Sequence, residues 1–124
     1  MEVIKLKDYN HIYYVDVFEN EYAALFTKSK TEYQKNLLKL RQNLRILDSE
    51  DINPLRLQQF EKLEGENLYA IRYVSKSNSR VIYAYMDERQ NIILLSACKE
   101  KGKSDYRSAI EKARQRYRIL EELE

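Results

Sequence analysis

Three apolar runs, LYAIRYV (68–74), RVIYAYM (80–86) and NIILLSAC (91–98), stand only five and four residues apart. Each is rich in β-branched and aromatic residues, the composition of strands. The connections SKSNS and DERQ are short and polar, as hairpin loops are, whereas parallel neighbours need a crossover of a dozen residues or more. The runs are therefore expected to form an antiparallel meander. The rest of the chain has to cover it.

HIYYVDVF (11–18) reads as one more strand, and a short helix is expected at about 20–28, where Tyr22, Ala23, Leu25 and Phe26 recur. Thr31-x-x-Gln34 has capping-box spacing. Behind it Tyr33, Leu37, Leu40, Leu44 and Leu47 form a single apolar stripe at helical spacing. Asn53-Pro54 supplies a cap and a first helical residue for a short helix reaching about Phe60. Tyr106, Ile110, Ala113, Tyr117 and Leu120 repeat the stripe in 104–123, with Ser104 as its cap. The expected fold is α+β. A small, mostly antiparallel sheet (the N-terminal strand plus the meander) has helices packed on one face, and a C-terminal helix closes the chain. At 124 residues one domain, 1–124, is expected.

Charge is unevenly spread. Residues 1–98 carry 14 basic and 14 acidic side chains, but residues 99–118 carry eight basic against three acidic. Such asymmetry points to an anionic partner, most often nucleic acid. Cys98 is the only cysteine, which excludes an intrachain disulfide and fits a reducing compartment. MEVIKLKDYN has no apolar core of signal-peptide length, and no run approaches the ~20 apolar residues of a membrane helix. A cytoplasmic protein without membrane contact is expected.

Most motifs of chemistry are missing. Gly65 and Gly102 are too few for a phosphate-cradling loop, and His11 and Cys98 are single and far apart, so neither metal nor cofactor is expected. What remains is basic and aromatic. If the first hairpin has a three-residue loop (Lys76–Asn78), Ala70 faces Ala84, Arg72 faces Ile82, and Arg72 and Arg80 share a side. A two-residue loop (Ser77-Asn78) would place the two arginines on opposite faces. The residues leave both registers open.

The segment from about 60 to 120 resembles the C-terminal half of the RelE/ParE toxin superfamily, particularly its HigB-like, phage-associated branch. The resemblance rests on the strand LYAIRYV, the Arg-aliphatic-x-Tyr strand RVIYAYM, the run IILLSACKEKGKSDY and a helix with a mid-helix alanine, Ala109 or Ala113. FEKLEG (60–65) resembles the stretch leading into the sheet. The resemblance implies a toxin that cuts messenger RNA on the ribosome, held inactive by an antitoxin expected to be of helix-turn-helix type, and it leaves a homodimer open. By the same resemblance Arg72, Arg80, Lys99 and Tyr106 would be catalytic. Lys101, Lys103 and Arg107 would bind RNA. Ala70 and Glu100 depart from the pattern, standing where a lysine and an arginine are found, with Lys101 the nearest substitute for the latter.

The chemistry has its own logic. Cleavage of RNA through its 2′-OH requires that hydroxyl to lose a proton, the phosphorane to be neutralised and the leaving 5′-oxygen to be protonated. Guanidinium forks suit phosphate oxygens, a lysine crowded by cations can act as a base, and an aromatic ring can stack on a nucleobase. The four catalytic candidates are expected on one concave face, with Lys99 and Lys103 on one side of the chain and Lys101 on the other. Two other classes fit the same residues: a non-catalytic superfamily member (a gyrase inhibitor or an inactive remnant) and a small nucleic-acid-binding adaptor.

Overall fold

The computed structural model describes residues 1–49, 52–73, 78–87 and 90–123. Its strands are β1 (Val3–Lys5), β2 (Ile12–Val15), β3 (Phe60–Lys62), β4 (Tyr69–Arg72), β5 (Ser79–Tyr85) and β6 (Ile92–Lys99). The helices are α1 (Phe18–Ala24), α2 (Lys30–Asp48) and α3 (Lys103–Glu122). All six strands join one sheet in the order β1-β2-β6-β5-β4-β3, antiparallel throughout except for the parallel pair β2–β6. The α+β class and the meander β4–β5–β6 are as the sequence implies.

The edges differ from expectation. β1 and β3 are three residues each, too short for alternation to stand out in sequence. Asn53 does cap, accepting from the Leu55 N–H, and Pro54 does start a helix, but it is a single 3-10 turn, Pro54–Arg56. The chain then extends, and Phe60 pairs with Ile71 instead of ending a helix. Ser29, not Thr31, caps α2, its hydroxyl accepting from the Glu32 N–H. Gly102, not Ser104, precedes α3, and Asp105 accepts from the Lys101 and Gly102 N–H groups there.

Neither weighed hairpin register is adopted. Arg72 pairs with Arg80 and Ala70 with Ile82, so the arginines do share a face. Residues 74–77, which include most of that loop, lie outside the described residues.

Alternation along the strands assigns the two faces. Ser96, opposite Ile82, donates its hydroxyl to the Ala109 carbonyl of α3 at 2.7 Å. Buried Ala109 and Ala113 let α3 lie close on this face. The other face carries Tyr73, whose hydroxyl lies 2.6 Å from that of Tyr22 on α1, and Lys99, which pairs with Glu32 on α2. Helices α1 and α2 therefore cover one face and the C-terminal helix the other. A bulge at Leu95 shifts the β5–β6 register, pairing Ile82 with Ser96 but Tyr83 with Leu94. Arg116 of α3 donates to the Leu95 carbonyl and pairs with Glu21 of α1, tying both layers to the irregular point.

Candidate functional site

Strand β5 begins with Ser79 and Arg80, and the pleat turns Arg80 toward α3. There the guanidinium carbon lies 4.1 Å from the ring centroid of Tyr106, in the first turn of α3. Nη1 donates to Glu61 Oε1 on β3 at 3.0 Å, and Nη2 pairs with Glu100 Oε2, just past β6, also at 3.0 Å. The Tyr106 hydroxyl donates to the same Glu61 oxygen at 2.7 Å. Four elements thus converge on one arginine. Its side chain is only 13% exposed, against 42% for Glu61 and 21% for Glu100.

The electrostatics follow from this packing. Burial lowers the Arg80 pKa, but Tyr106, Glu100 and Glu61 outweigh it and raise the group above its ordinary value. Burial, and then the bond to Glu61, raise the Tyr106 phenol well above its usual range despite Arg80. Tyr106 therefore holds its proton at neutral pH. Cys98 is the cross-strand partner of Arg80. Burial pushes its thiol up to about 11, which keeps it protonated and unreactive.

Arg72 lies on the same face as Arg80, exposed. Lys101, Lys103 and Arg107 are exposed around the start of α3, where the chain turns at Gly102. Lys99 does not join them. It follows Cys98, so its side chain projects to the opposite face, 2.5 Å from Glu32 Oε1 and 5.8 Å from the centre of the Phe26 ring. The expectation that all four catalytic candidates converge is corrected: Arg80 and Tyr106 are in contact, Arg72 shares their face of the sheet, and Lys99 lies on the other.

Glu61 was not legible as a site residue, because nothing in FEKLEG marks a strand or its facing. Glu100 was visible only as a departure from a pattern. A cleft of about 650 Å³ lies on the other face, between α1, α2 and the β1–β2 turn. Its lining combines Phe18, Tyr22, Leu40, Leu44 and Leu94 with charged Lys7, Asp8, Glu19, Arg41 and Arg45. Among the described residues no three His, Cys, Asp or Glu side chains gather to hold a metal ion, and no helix is long and apolar enough to cross a membrane.

Fold and cluster together define a small α+β protein with a compact arginine–tyrosine–carboxylate centre on its sheet. Residues 28–118 match the family described as phage-derived protein Gp49-like (DUF891), and the chain belongs to that family, a phage-derived one of RelE-like toxin type. The match runs from just before α2 into the last turns of α3 and includes every residue of the centre. A search of curated proteins finds no match to the chain.

Proposed function

We propose that this protein is the toxin of a type II toxin–antitoxin pair and cuts messenger RNA on the ribosome by attack of the RNA's own 2′-OH. The observation that carries the reading is the convergence of Arg80, Tyr106 and Glu61. Glu61 takes the proton of the 2′-OH, whose oxygen attacks phosphorus. Arg80 neutralises the added charge on the phosphorane. The P–O5′ bond breaks, and Tyr106 gives its proton to the leaving oxygen. The products carry a 2′,3′-cyclic phosphate and a 5′-OH. Glu61, already hydrogen-bonded to Tyr106, returns the proton and resets the site.

Arg72, Lys101, Lys103 and Arg107 would hold flanking phosphates, and a protein antitoxin of helix-turn-helix type would cover the site. Lys99 contributes through the fold in this scheme. The pairing of Arg80 by two carboxylates favours the second reading, a non-catalytic relative that only binds.

One experiment separates the readings. Ribosomes programmed with a short message are incubated with the protein, and new ends are mapped. The expected result is cleavage leaving a cyclic phosphate, lost when the 2′-OH at the cut position is removed. Arg80→Ala, Glu61→Gln and Tyr106→Phe should each slow it by about 100-fold or more. Arg80→Ala should also relieve growth arrest on expression. No cleavage by the wild type would leave the binding relative.

A further inference from the structure

Arg80 is already occupied in the free protein. Glu61 has a part in the reaction proposed above, but Glu100 has none: its carboxylate meets Nη2 of Arg80 and nothing in the chemistry requires it. Its backbone is fixed for that contact. The Glu100 N–H donates to the Asn78 carbonyl at 3.0 Å, and the Asn78 side-chain amide donates back to the Glu100 carbonyl at 3.0 Å. Asn78 manages this from a left-handed conformation, φ 49°, that asparagine tolerates better than most residues.

The contact is nonetheless incomplete. Nε of Arg80 is buried with no hydrogen-bond partner among the described residues. Nε and Nη2 form one side of the guanidinium fork, the edge that takes two oxygens of a carboxylate or phosphate at once. Glu100 meets Nη2 and leaves Nε without a hydrogen bond. A phosphate that displaces it gains both donors and satisfies the orphaned one, whose burial is otherwise costly.

Resting on the reading that this centre takes RNA phosphate, we infer that Glu100 sets the site's affinity for its substrate by competing with the scissile phosphate for Arg80. Glu100 is thus a specificity-determining residue. A substrate must supply an oxyanion presented in the plane of the fork, so weakly held or wrongly placed phosphates fail to open the pair.

The test uses the full chain and two probes: inorganic phosphate, and a short RNA methylated at every 2′-oxygen, which cannot be cut through that group. Affinity is read by anisotropy of the labelled RNA and by the NMR signal of the Arg80 Nε–H during phosphate titration. Glu100→Gln keeps the shape and removes the charge. It should tighten both probes by about tenfold and make the Nε–H shift saturate at lower phosphate. Glu111→Gln on α3 makes the same change in net charge away from Arg80 and should alter affinity by less than about twofold. Asn78→Gly keeps the turn but frees the Glu100 carbonyl, and should move affinity in the same direction as Glu100→Gln. Equal effects of Glu100→Gln and Glu111→Gln, or weaker binding by Glu100→Gln, would overturn the inference. Tighter probe binding by Glu100→Gln with no cutting of unmodified RNA would uphold the competitor and sink the nuclease reading instead.

Discussion

The Lys99–Glu32 pair sits one strand position from Arg80 but works in another layer, tying the end of β6 to the first turn of α2. Both side chains are mostly buried, 18% and 22% exposed, so neither charge is well solvated if its partner is removed. Lys99→Met should therefore cost roughly 1 kcal/mol of stability, with coupling to Glu32→Gln in a double-mutant cycle. Cleavage per folded molecule should stay within about threefold of wild type, since no reacting group is touched. Urea denaturation gives the first quantity and a message-cleavage assay the second. A loss of activity near 100-fold at unchanged stability would return Lys99 to the chemistry. The same pleat that separates Lys99 from Arg80 brings Arg72 and Arg80 side by side, and it explains what sequence could offer at this scale. Residue types and their order were readable, because a guanidinium and a phenol have few uses on a basic surface. Facing was not: it depends on parity, and one residue of register reverses it.

Among the elements, α3 meets the sheet through two small buried residues and polar ties, with half-buried Tyr106, Ile110, Tyr117 and Leu120 packed beside them. Ala109 and Ala113 are the buried positions, and Ser96, Arg116 and Tyr106 supply directed bonds. Close approach is what lets Tyr106 cover Arg80. Ala113→Leu has no space to fill, since Ala113 is fully buried, and should destabilise by roughly 1–3 kcal/mol. It should also lower activity at full folding, because a lifted α3 carries Tyr106 away from Glu61. Circular dichroism during denaturation, paired with cleavage rates under native conditions, tests both halves; a leucine variant as stable and active as wild type would show that the helix floats. The stripe Leu40, Leu44 and Leu47 was legible because a 19-residue helix repeats its pattern many times. The meander was legible because its loops are too short for any other pairing. The three-residue strands β1 and β3 were not, since three residues show no alternation even though their partners lie close in the chain, Val15 for Val3 and Ile71 for Phe60. Glu61 enters the site only through that second pairing.

At the scale of the whole molecule, protons buried with the core set the pH range in which the fold survives. Burial raises the pKa of Tyr22, Tyr73, Tyr83 and Tyr106 above the ordinary phenol range and that of Cys98 to about 11. The folded chain therefore holds these protons more tightly than the unfolded chain does. As pH rises through the ordinary thiol and phenol values, roughly 8.5 to 10, the unfolded state ionises first and stability falls. The Cys98 contribution to that fall is complete near pH 11, while the tyrosines extend it further. Glu21 acts at the other end. Its bond to Arg116 holds its pKa below the ordinary carboxylate value against the opposing effect of burial, so its stabilisation is lost as pH falls through its lowered pKa. The melting temperature should form a plateau around neutrality and decline above about pH 9. Tyr83 isolates the alkaline limb, because its hydroxyl is buried without a hydrogen-bond partner among the described residues. Tyr83→Phe removes a titrating group without breaking a bond, so it should match or exceed wild-type stability at pH 7 and decline less steeply above pH 9. Calorimetric scans from pH 6 to 11 measure both curves. A wild-type melting temperature that stays level to pH 11, or a phenylalanine variant with the same alkaline slope, would mean that the buried phenols do not govern this limit.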